Sequence, residues 1–352
     1  MNIKINKKTT IGEDFPPYII AEIGSNHNGN LDLCKSLISA AKNAGANCAK
    51  FQSFTKNSIF SKKVFQDNYF IADDYRDRED YTLEQIVDEY SVSQKDLIQI
   101  KKYCEEINID FACTPFSADE VDFLNDVLDV DFFKIASMDL NNYQFIEYIS
   151  KKNKPTILST GLSTHDEIEK AVKTFESTGN RKLIILHCTA IYPPKDKEIN
   201  LNRILTLRNL YSYPIGFSDH TIGPAIPIAS IAIGARVIEK HFTVDKQMEG
   251  WDHHMSSNED EMRETVNGCR KVFDGLGTHK ILRVESQEIV DSFRRSIVAS
   301  KKIQKGNIIQ KNMLDFKRPG TGLPPGRMNE LLGKKTLKDI DEDEIINESD
   351  FE

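Results

Sequence analysis

Short apolar segments rich in β-branched residues alternate with helical periodicity over the first four fifths of the chain. The apolar segments, each of which we predict to be a strand, are 18–24, 47–53, 110–116, 131–137, 156–160, 183–189, 215–220 and 236–243. Helical patterns lie between them, for example at 31–45, 93–107, 164–177 and 225–235. Alternating strands and helices indicate parallel βαβ units, and eight units in about 250 residues predict a (β/α)8 TIM barrel. An open doubly wound sheet is the alternative, but no GxGxxG follows the first strand.

The pattern changes near residue 280, where short strands and turns replace the barrel pattern. We therefore expect a barrel domain over 1–280, a linker over 281–293 and a small second domain over 294–352. A long insertion, 54–92, separates the second strand from its helix and contains the aromatic and acidic stretch DNYFIADDYRDREDY (67–81). Such a segment is typical of an active-site lid, and a surface excursion or a dimer contact is the alternative.

Polar residues gather at the ends of the predicted strands. In a barrel these ends converge on the catalytic face, so together they predict an active site. The residues concerned are Glu22, Lys50, Gln52, Thr114, Lys134, Ser137, Ser159, Thr160, Thr189, Tyr192, Ser218, His220, Glu239 and His241.

His220 and His241 are the best metal candidates, because they end the neighbouring seventh and eighth strands. Neutral imidazoles there can bind a divalent cation and leave positions open for substrate and water. The alternative is that each histidine is a hydrogen-bonded structural residue. The run 252–254 (Asp-His-His) is a second conceivable metal site, but we expect a solvated loop in which only Asp252 turns toward substrate.

Lys50 and Lys134 are costly to bury unless an anion accompanies them. An anionic substrate would supply that partner, and an ion pair with Glu22 or Glu239 is the alternative. Glu22 could instead orient or deprotonate a metal-bound water. The hydroxyls that could donate hydrogen bonds to phosphate oxygens are those of Ser137, Ser159 and Ser218.

Composition excludes several classes of function. A net charge of -8 argues against a nucleic-acid surface. No apolar run approaches the roughly 18 to 20 residues of a membrane helix, and the N-terminus lacks the apolar core of a signal peptide, so we expect a cytoplasmic protein that does not contact membranes. The six cysteines show no CxxC spacing, which favours buried free thiols over disulfides or structural zinc.

A series of motifs spans nearly the whole chain. They are AEIGSNHNG (21–29), KFQ (50–52), FFKIAS (132–137), LSTG (158–161), HCTAIYP (187–193), IGFSDHTIG (215–223), GARVIEKHFT (234–243), DHHMS (252–256), RRSIVASKKIQKG (294–306) and KRPGTGLPP (317–325). Together they resemble the sialic acid (N-acetylneuraminate) synthases and their legionaminic and pseudaminic acid relatives. The last two motifs resemble the antifreeze-like (SAF) domain that ends these synthases.

The resemblance implies an enzyme that condenses phosphoenolpyruvate with an N-acetylated amino sugar. It also implies a domain-swapped homodimer and a divalent metal ion, Mn2+ first, with Mg2+ or Co2+ as alternatives. By position it assigns His220 and His241 to the metal and, with Glu22 and Gln52, to catalysis. The residues it assigns to phosphoenolpyruvate are Lys50, Thr114, Lys134, Ser137, Ser159 and Ser218, and those it assigns to the amino sugar are Asp139, Tyr192, Asp252 and Arg318.

Three departures bear on which sugar is used. The chain has KFQ where relatives often have KHQ, Ala136-Ser137-Met138-Asp139 where they often have Gly-Ser-Gly-Glu, and Ala190 where they often have Asn. We expect N-acetylmannosamine first, then the 2,4-diacetamido-trideoxyhexose precursors of legionaminic or pseudaminic acid. A metal-dependent sugar isomerase or epimerase, and a non-catalytic sugar-binding or ice-binding module, are remoter alternatives.

Overall fold

The computed structural model describes residues 1–67, 82–278 and 280–352. These residues form two compact units, 1–277 and 278–352. Of the aromatic and acidic stretch singled out in the insertion, 68–81 lies outside the described residues.

The first unit contains a sheet of eight parallel strands that follows a small antiparallel pair, β1 (Ile3–Lys4) and β2 (Thr10–Ile11). The eight strands are β3 (Tyr18–Gly24), β4 (Cys48–Gln52), β5 (Asp110–Thr114), β6 (Phe133–Ile135), β7 (Thr156–Ser159), β8 (Leu183–Cys188), β9 (Ile215–Asp219) and β10 (Val237–His241). Their order is β5-β4-β3-β10-β9-β8-β7-β6, so the first and last strands along the chain are neighbours. This order confirms the predicted barrel, which lacks ladder pairing only between β5 and β6 among the described residues.

Helices connect successive strands, as predicted. Those of the first unit are α1 (Leu31–Asn43), α2 (Lys56–Ile59), α3 (Lys62–Gln66), α4 (Leu83–Tyr90), α5 (Gln94–Ile107), α6 (Ala118–Asp122), α7 (Tyr143–Lys151), α8 (His165–Ser177), α9 (Asp196–Ile199), α10 (Asn202–Leu210), α11 (Ala225–Ala232) and α12 (Glu259–Gly275). Side chains of Asn30, Ser93 and Thr164 accept backbone hydrogen bonds at the starts of α1, α5 and α8. Each satisfies an N–H that would otherwise lack a partner, which fixes where the helix begins.

Apolar side chains fill the barrel interior toward the amino ends of the strands. Ile3, Ile5 and Ile11 from the N-terminal segment belong to the same buried cluster as Ile20 and Ile184 on the strands. A second cluster lies between the strands and the helices. Because apolar packing occupies one end of the interior, polar side chains concentrate at the carboxyl ends of the strands.

The second unit has its own small core. Its helices and strands are α13 (Gln287–Phe293), β11 (Ser296–Ala299), β12 (Leu314–Lys317) and α14 (Met328–Leu331). β11 and β12 pair antiparallel. The buried residues of this core are Ile297, Ala299, Ile303, Ile309, Leu323, Leu331, Ile340, Ile346 and Phe351.

All six cysteines are buried and free, as expected from their spacing. Within the parts of the chain that the structure describes, none of the helices combines the length and the apolar character needed to cross a membrane.

Candidate active site

The last two barrel strands place alternate side chains on opposite faces. Lys240 pairs in register with Asp219, and its Nζ lies 2.6 Å from Asp219 Oδ2 and 2.6 Å from the Thr221 carbonyl oxygen. Both side chains of this ion pair are buried. Since neighbours along a strand point to opposite faces, Glu239 and His241 share the face opposite Lys240. The buried pair therefore holds β9 against β10 behind the two residues that face the site.

Two lysines and two carboxylates form a buried ionic network at the mouth of the barrel. Lys50 Nζ lies 2.6 Å from Glu22 Oε2 and 3.5 Å from Glu239 Oε2. Lys134 Nζ lies 3.7 Å from Glu239 Oε1. The ion pairs considered for these lysines are thus present, and two positive charges balance two negative ones. An incoming anion would meet two lysines that are already ionically paired and oriented.

The network shifts the pKa values of its members in opposite directions. Burial alone would raise the pKa of Glu239, but Lys134 and Lys50 hold it at about 2. Burial alone would lower the pKa of Lys50, but Glu22 and Glu239 raise it above its usual value. Burial dominates at Lys134 and lowers its pKa despite Glu239. Lys134 therefore gives up its proton more easily than Lys50 does.

Neutral groups on the strands and in the turns that follow them surround the network. Gln52 Nε2 donates to Glu22 Oε1 at 2.8 Å, which fixes the carboxylate from the side opposite Lys50. The hydroxyl contacts are Lys50 Nζ to Thr114 Oγ1 (3.2 Å), Lys134 Nζ to Ser159 Oγ (2.7 Å), Ser218 Oγ to Glu239 Oε1 (3.0 Å) and Gly161 N to Ser137 Oγ (3.0 Å). The structure thus places these predicted residues at one end of the barrel.

Asp139 lies two residues beyond Ser137 in a short 3-10 turn. Burial raises the pKa of its carboxyl. Its Oδ2 is buried and has no hydrogen-bond partner among the described residues. The carboxyl can therefore accept a hydrogen bond from a ligand.

His220 and His241 lie side by side, with ring centroids 5.4 Å apart. His220 Nδ1–H donates to the Thr189 carbonyl oxygen at 2.8 Å, which leaves the lone pair on Nε2. Burial, with a smaller contribution from His241, lowers the pKa of His220 to about 3, so the ring is neutral at pH 7. His241 Nδ1 is buried and lacks a hydrogen-bond partner among the described residues.

These histidines fit a divalent cation, since neutral imidazole is a common ligand and a carbonyl fixes one ring from behind. In the described parts of the chain, no group of three or more His, Cys, Asp and Glu side chains could hold an ion. An ion at this place would thus have two imidazole ligands and several positions open to substrate and water.

Tyr192 and Asp252 adjoin the histidines. The Tyr192 ring centroid lies 4.2 Å from that of His220 and 6.1 Å from that of His241. Asp252 Oδ2 lies 3.6 Å from His241 Nδ1. Two of the four predicted sugar residues, Tyr192 and Asp252, therefore border the candidate metal position.

The prediction of a solvated loop at 252–254 is wrong for His253. This side chain is fully buried, and hydrogen bonds join its Nδ1 to Thr243 Oγ1 (2.7 Å) and its Nε2 to Asn28 Oδ1 (3.1 Å). These partners lie 10 and 225 residues away in the sequence, so the local pattern did not reveal them. His253 is a packed structural residue, whereas His254 is exposed.

Arg318 lies in the second unit, directly after β12. Its side chain is exposed, and its guanidinium lies 4.9 Å from the centroid of the Phe293 ring. It is the one predicted site residue outside the barrel unit.

Sequence reasoning counted Glu239 among the polar strand ends but assigned it no catalytic or binding role, although it contacts both lysines and Ser218. Strand alternation could have assigned it to the site, because Glu239 and His241 are two residues apart on one strand. The Asp219–Lys240 pair was also missed, because sequence does not show which charged neighbours pair across strands.

Comparison with known proteins agrees with this geometry. Residues 37–281 match the NeuB family, and residues 294–352 match the SAF domain. An uncharacterized protein of Methanocaldococcus jannaschii is 41% identical over 96% of this chain and 95% of its own length. The N,N'-diacetyllegionaminic acid synthase of Campylobacter jejuni is 38% identical over 94% of this chain and 98% of its own.

Among solved structures, the N-acetylneuraminic acid (sialic acid) synthetase of Leptospira borgpetersenii, in complex with citrate, is 32% identical. The match has a TM-score of 0.73 and covers 82% of this chain and 94% of that one. The chain is therefore an enzyme of the NeuB family, with a SAF domain at its C-terminus.

Proposed function

We propose that the barrel mouth condenses phosphoenolpyruvate with the open-chain aldehyde of an N-acetylated amino sugar and releases phosphate, giving a nine-carbon sialic-acid-type product. The observation that carries the proposal is the buried network of Lys50, Lys134, Glu22 and Glu239, which adjoins a pair of side-by-side histidines. The family membership supports the same reaction class.

Phosphoenolpyruvate carries a carboxylate and a phosphate, and the lysines supply the opposite charge. Lys50 and Lys134 are held at fixed positions by Glu22 and Glu239, so they need little reorganisation when the anion binds. The hydroxyls of Ser159 and Ser218 can turn from the lysine and the carboxylate toward phosphate oxygens, and Ser137 and Thr114 border the same space. Such binding positions the reacting carbon of phosphoenolpyruvate.

His220 and His241 would hold the divalent cation, with Mn2+ as the first choice and Mg2+ or Co2+ as alternatives. When bound, such an ion polarises a carbonyl oxygen, an effect worth several kcal/mol of charge stabilisation. Tyr192 and Asp252 border this position, and Asp139 has a buried carboxylate oxygen without a partner among the described residues. All three side chains are suited to hydroxyl and amide groups of the sugar.

In the proposed reaction, C3 of phosphoenolpyruvate attacks the aldehyde carbon of the sugar. Water then adds at C2 of the former phosphoenolpyruvate, and the tetrahedral intermediate loses phosphate by C–O cleavage. Glu22 is oriented between Gln52 and Lys50, where it can accept a proton from that water.

N-acetylmannosamine is the first candidate sugar. A 2,4-diacetamido-trideoxyhexose is the second, favoured by the relative named N,N'-diacetyllegionaminic acid synthase. The two differ at C4 and C6, so side chains that face those carbons decide between them.

We also propose a domain-swapped homodimer in which Arg318 from one subunit binds the sugar held by the other. The resemblance of the motif at 317–325 supports this proposal. The exposed guanidinium is consistent with a role at a second surface.

The test measures phosphate release from phosphoenolpyruvate with Mn2+ and each of three sugars: N-acetylmannosamine, a 2,4-diacetamido-trideoxyhexose and mannose. We expect release only when an N-acetylated sugar is present. Release without sugar, or none with either N-acetylated sugar, contradicts the proposal. Interconversion of sugars without phosphoenolpyruvate would instead support an isomerase or epimerase, and inactivity with sugar binding would support a binding module.

A further inference from the structure

The described helices of the insertion form a separate apolar cluster beside the barrel mouth. Its buried members are Phe54, Leu83, Ile86, Val87 and Tyr90. The partly buried side chains packed on it are Ile59, Phe60, Val64, Phe65, Phe116 and Trp251. We call this group the insertion cluster. All but Phe116 and Trp251 come from the described parts of the insertion 54–92.

Trp251 reaches the insertion cluster from the segment that follows β10. Its ring stacks on Tyr90 with centroids 5.8 Å apart and an interplanar angle of 22°. The ring centroids of Trp251 and Phe54 lie 6.0 Å apart, with an interplanar angle of 40°. Aromatic pairs at such separations stabilise a contact beyond the apolar area they bury. The backbone at Trp251 is therefore tied to α4 and to the residue stretch just after β4.

Asp252 directly follows this anchor, and its carboxylate lies 3.6 Å from His241 Nδ1. On its other side, His253 is fixed by Thr243 and Asn28. Ser256 holds the Asp252 carbonyl oxygen, through its backbone N at 3.1 Å and its Oγ at 2.6 Å. Asp252 thus stands between one anchor on the barrel and one on the insertion.

These contacts orient Asp252 in two different ways. The His253 and Ser256 anchors fix where the backbone runs. Trp251 is the anchor that depends on the insertion, because its stacking partner is on α4. The Asp252 residue is therefore one peptide unit away from a side chain that packs on the insertion cluster.

We propose that the insertion positions Asp252 for the amino sugar, with Trp251 as the positioning residue that links the insertion cluster to the active site. The inference rests on the proposed function for the identity of the ligand. The link between insertion and loop rests on the packing alone. Insertions of different packing would therefore alter how a barrel of this kind holds its sugar.

The experiment compares cavities in two places. Ile86→Ala removes a fully buried side chain of the insertion cluster, and Ile149→Ala removes a fully buried side chain of α7 in the main core. Tyr90→Leu removes the stacked ring but keeps an apolar side chain, and serves if Ile86→Ala does not fold. Trp251→Ala and Trp251→Phe test the anchor itself.

The first readout needs no substrate, because Trp251 is the single tryptophan of the chain. In Ile86→Ala and Tyr90→Leu we expect its emission to move to longer wavelength and acrylamide quenching to increase. In Ile149→Ala we expect neither change. Equal fluorescence in Ile86→Ala and Ile149→Ala overturns the link between insertion and loop.

The second readout is steady-state kinetics in the holoenzyme. Since a displacement of about 1 Å can cost as much as 100-fold, we expect the KM for the amino sugar to rise about tenfold in Ile86→Ala, Tyr90→Leu and Trp251→Ala. Trp251→Phe should restore most of that loss, and the KM for phosphoenolpyruvate should stay unchanged. Altered fluorescence with an unchanged sugar KM and kcat overturns the positioning role. Absence of turnover in the wild type with every sugar refutes the proposed function instead, and fluorescence then judges the link by itself.

Discussion

Glu239 is the carboxylate that lies within 4 Å of both buried lysines, and replacing it by glutamine tests the ionic network. Glu239→Gln keeps the shape and an oxygen that can accept from Ser218, but it removes the charge. The lysine nitrogens lie 3.5 and 3.7 Å from its carboxylate oxygens. At an effective dielectric constant of about 20, each attraction is worth about 4.5 kcal/mol. Desolvation of the buried ions offsets much of this sum.

Removing one partner of a buried ion pair costs about 3 to 5 kcal/mol. We expect the free energy of unfolding to fall by about 3 kcal/mol, the lower end of this range. A buried lysine can release its proton, and it then no longer carries an unpaired charge. The already lowered pKa of Lys134 makes it the group that would do so. At roughly 2 °C per kcal/mol for a domain of this size, the midpoint of thermal unfolding should fall by about 6 °C.

The assay is thermal unfolding with and without inorganic phosphate. Without the Glu239 charge, the network keeps two lysines and one carboxylate, and phosphate can replace the lost anion and favour the protonated form of Lys134. Phosphate should therefore raise the unfolding midpoint more in the variant than in the wild type. The control is Glu105→Gln, whose exposed ion pair with Lys101 should contribute no more than about 1 kcal/mol. A variant as stable as the wild type, with the same response to phosphate, would refute the reasoning.

Three further predictions follow from other parts of the site. Calorimetric titration with Mn2+ should show binding that His220→Ala and His241→Ala abolish, and chelation should stop turnover until Mn2+, Co2+ or Mg2+ is added; full activity in a metal-free sample would contradict this. Arg318→Ala should raise the KM for the amino sugar, with little change in the KM for phosphoenolpyruvate. When the Arg318→Ala and His220→Ala variants are mixed under conditions that exchange subunits, the heterodimers should regain activity. No recovery despite demonstrated exchange argues against a shared site. Burial lowers the pKa of His27 from 6.5 to about 4. Between these pH values the side chain is protonated in the unfolded chain but neutral in the folded one, so protonation favours unfolding. The contribution of His27 to the free energy of unfolding should therefore fall by about 3 kcal/mol as the pH drops from 6.5 to 4. His27→Gln should flatten unfolding curves measured across that range, and an unchanged pH dependence would contradict the assignment.

The barrel could be predicted from the sequence because its strands and helices follow local patterns of apolar and polar residues. The predicted strand at 18–24 coincides with β3, and the predicted helix at 31–45 contains α1. The convergence of Lys50 and Lys134 near one end also follows from strand order alone.

Features that depend on distant partners were not predictable in the same way. His253 was predicted to lie in a solvated run, but its Nε2 forms a hydrogen bond with Oδ1 of Asn28, which is distant in the sequence. The role of Glu239 depends on lysines from two other strands. Trp251 packs on Tyr90 of α4, which is distant in the sequence, and no local periodicity predicts that contact.

Condensation with C–O cleavage is the central claim, and an isotope label tests it most directly. Phosphoenolpyruvate labelled with 18O in the bridging position is turned over with the preferred N-acetylated sugar, and both products are analysed by mass spectrometry. If water attacks C2 and the C–O bond breaks, the label leaves with phosphate. Retention of the label in the sugar acid would contradict the account.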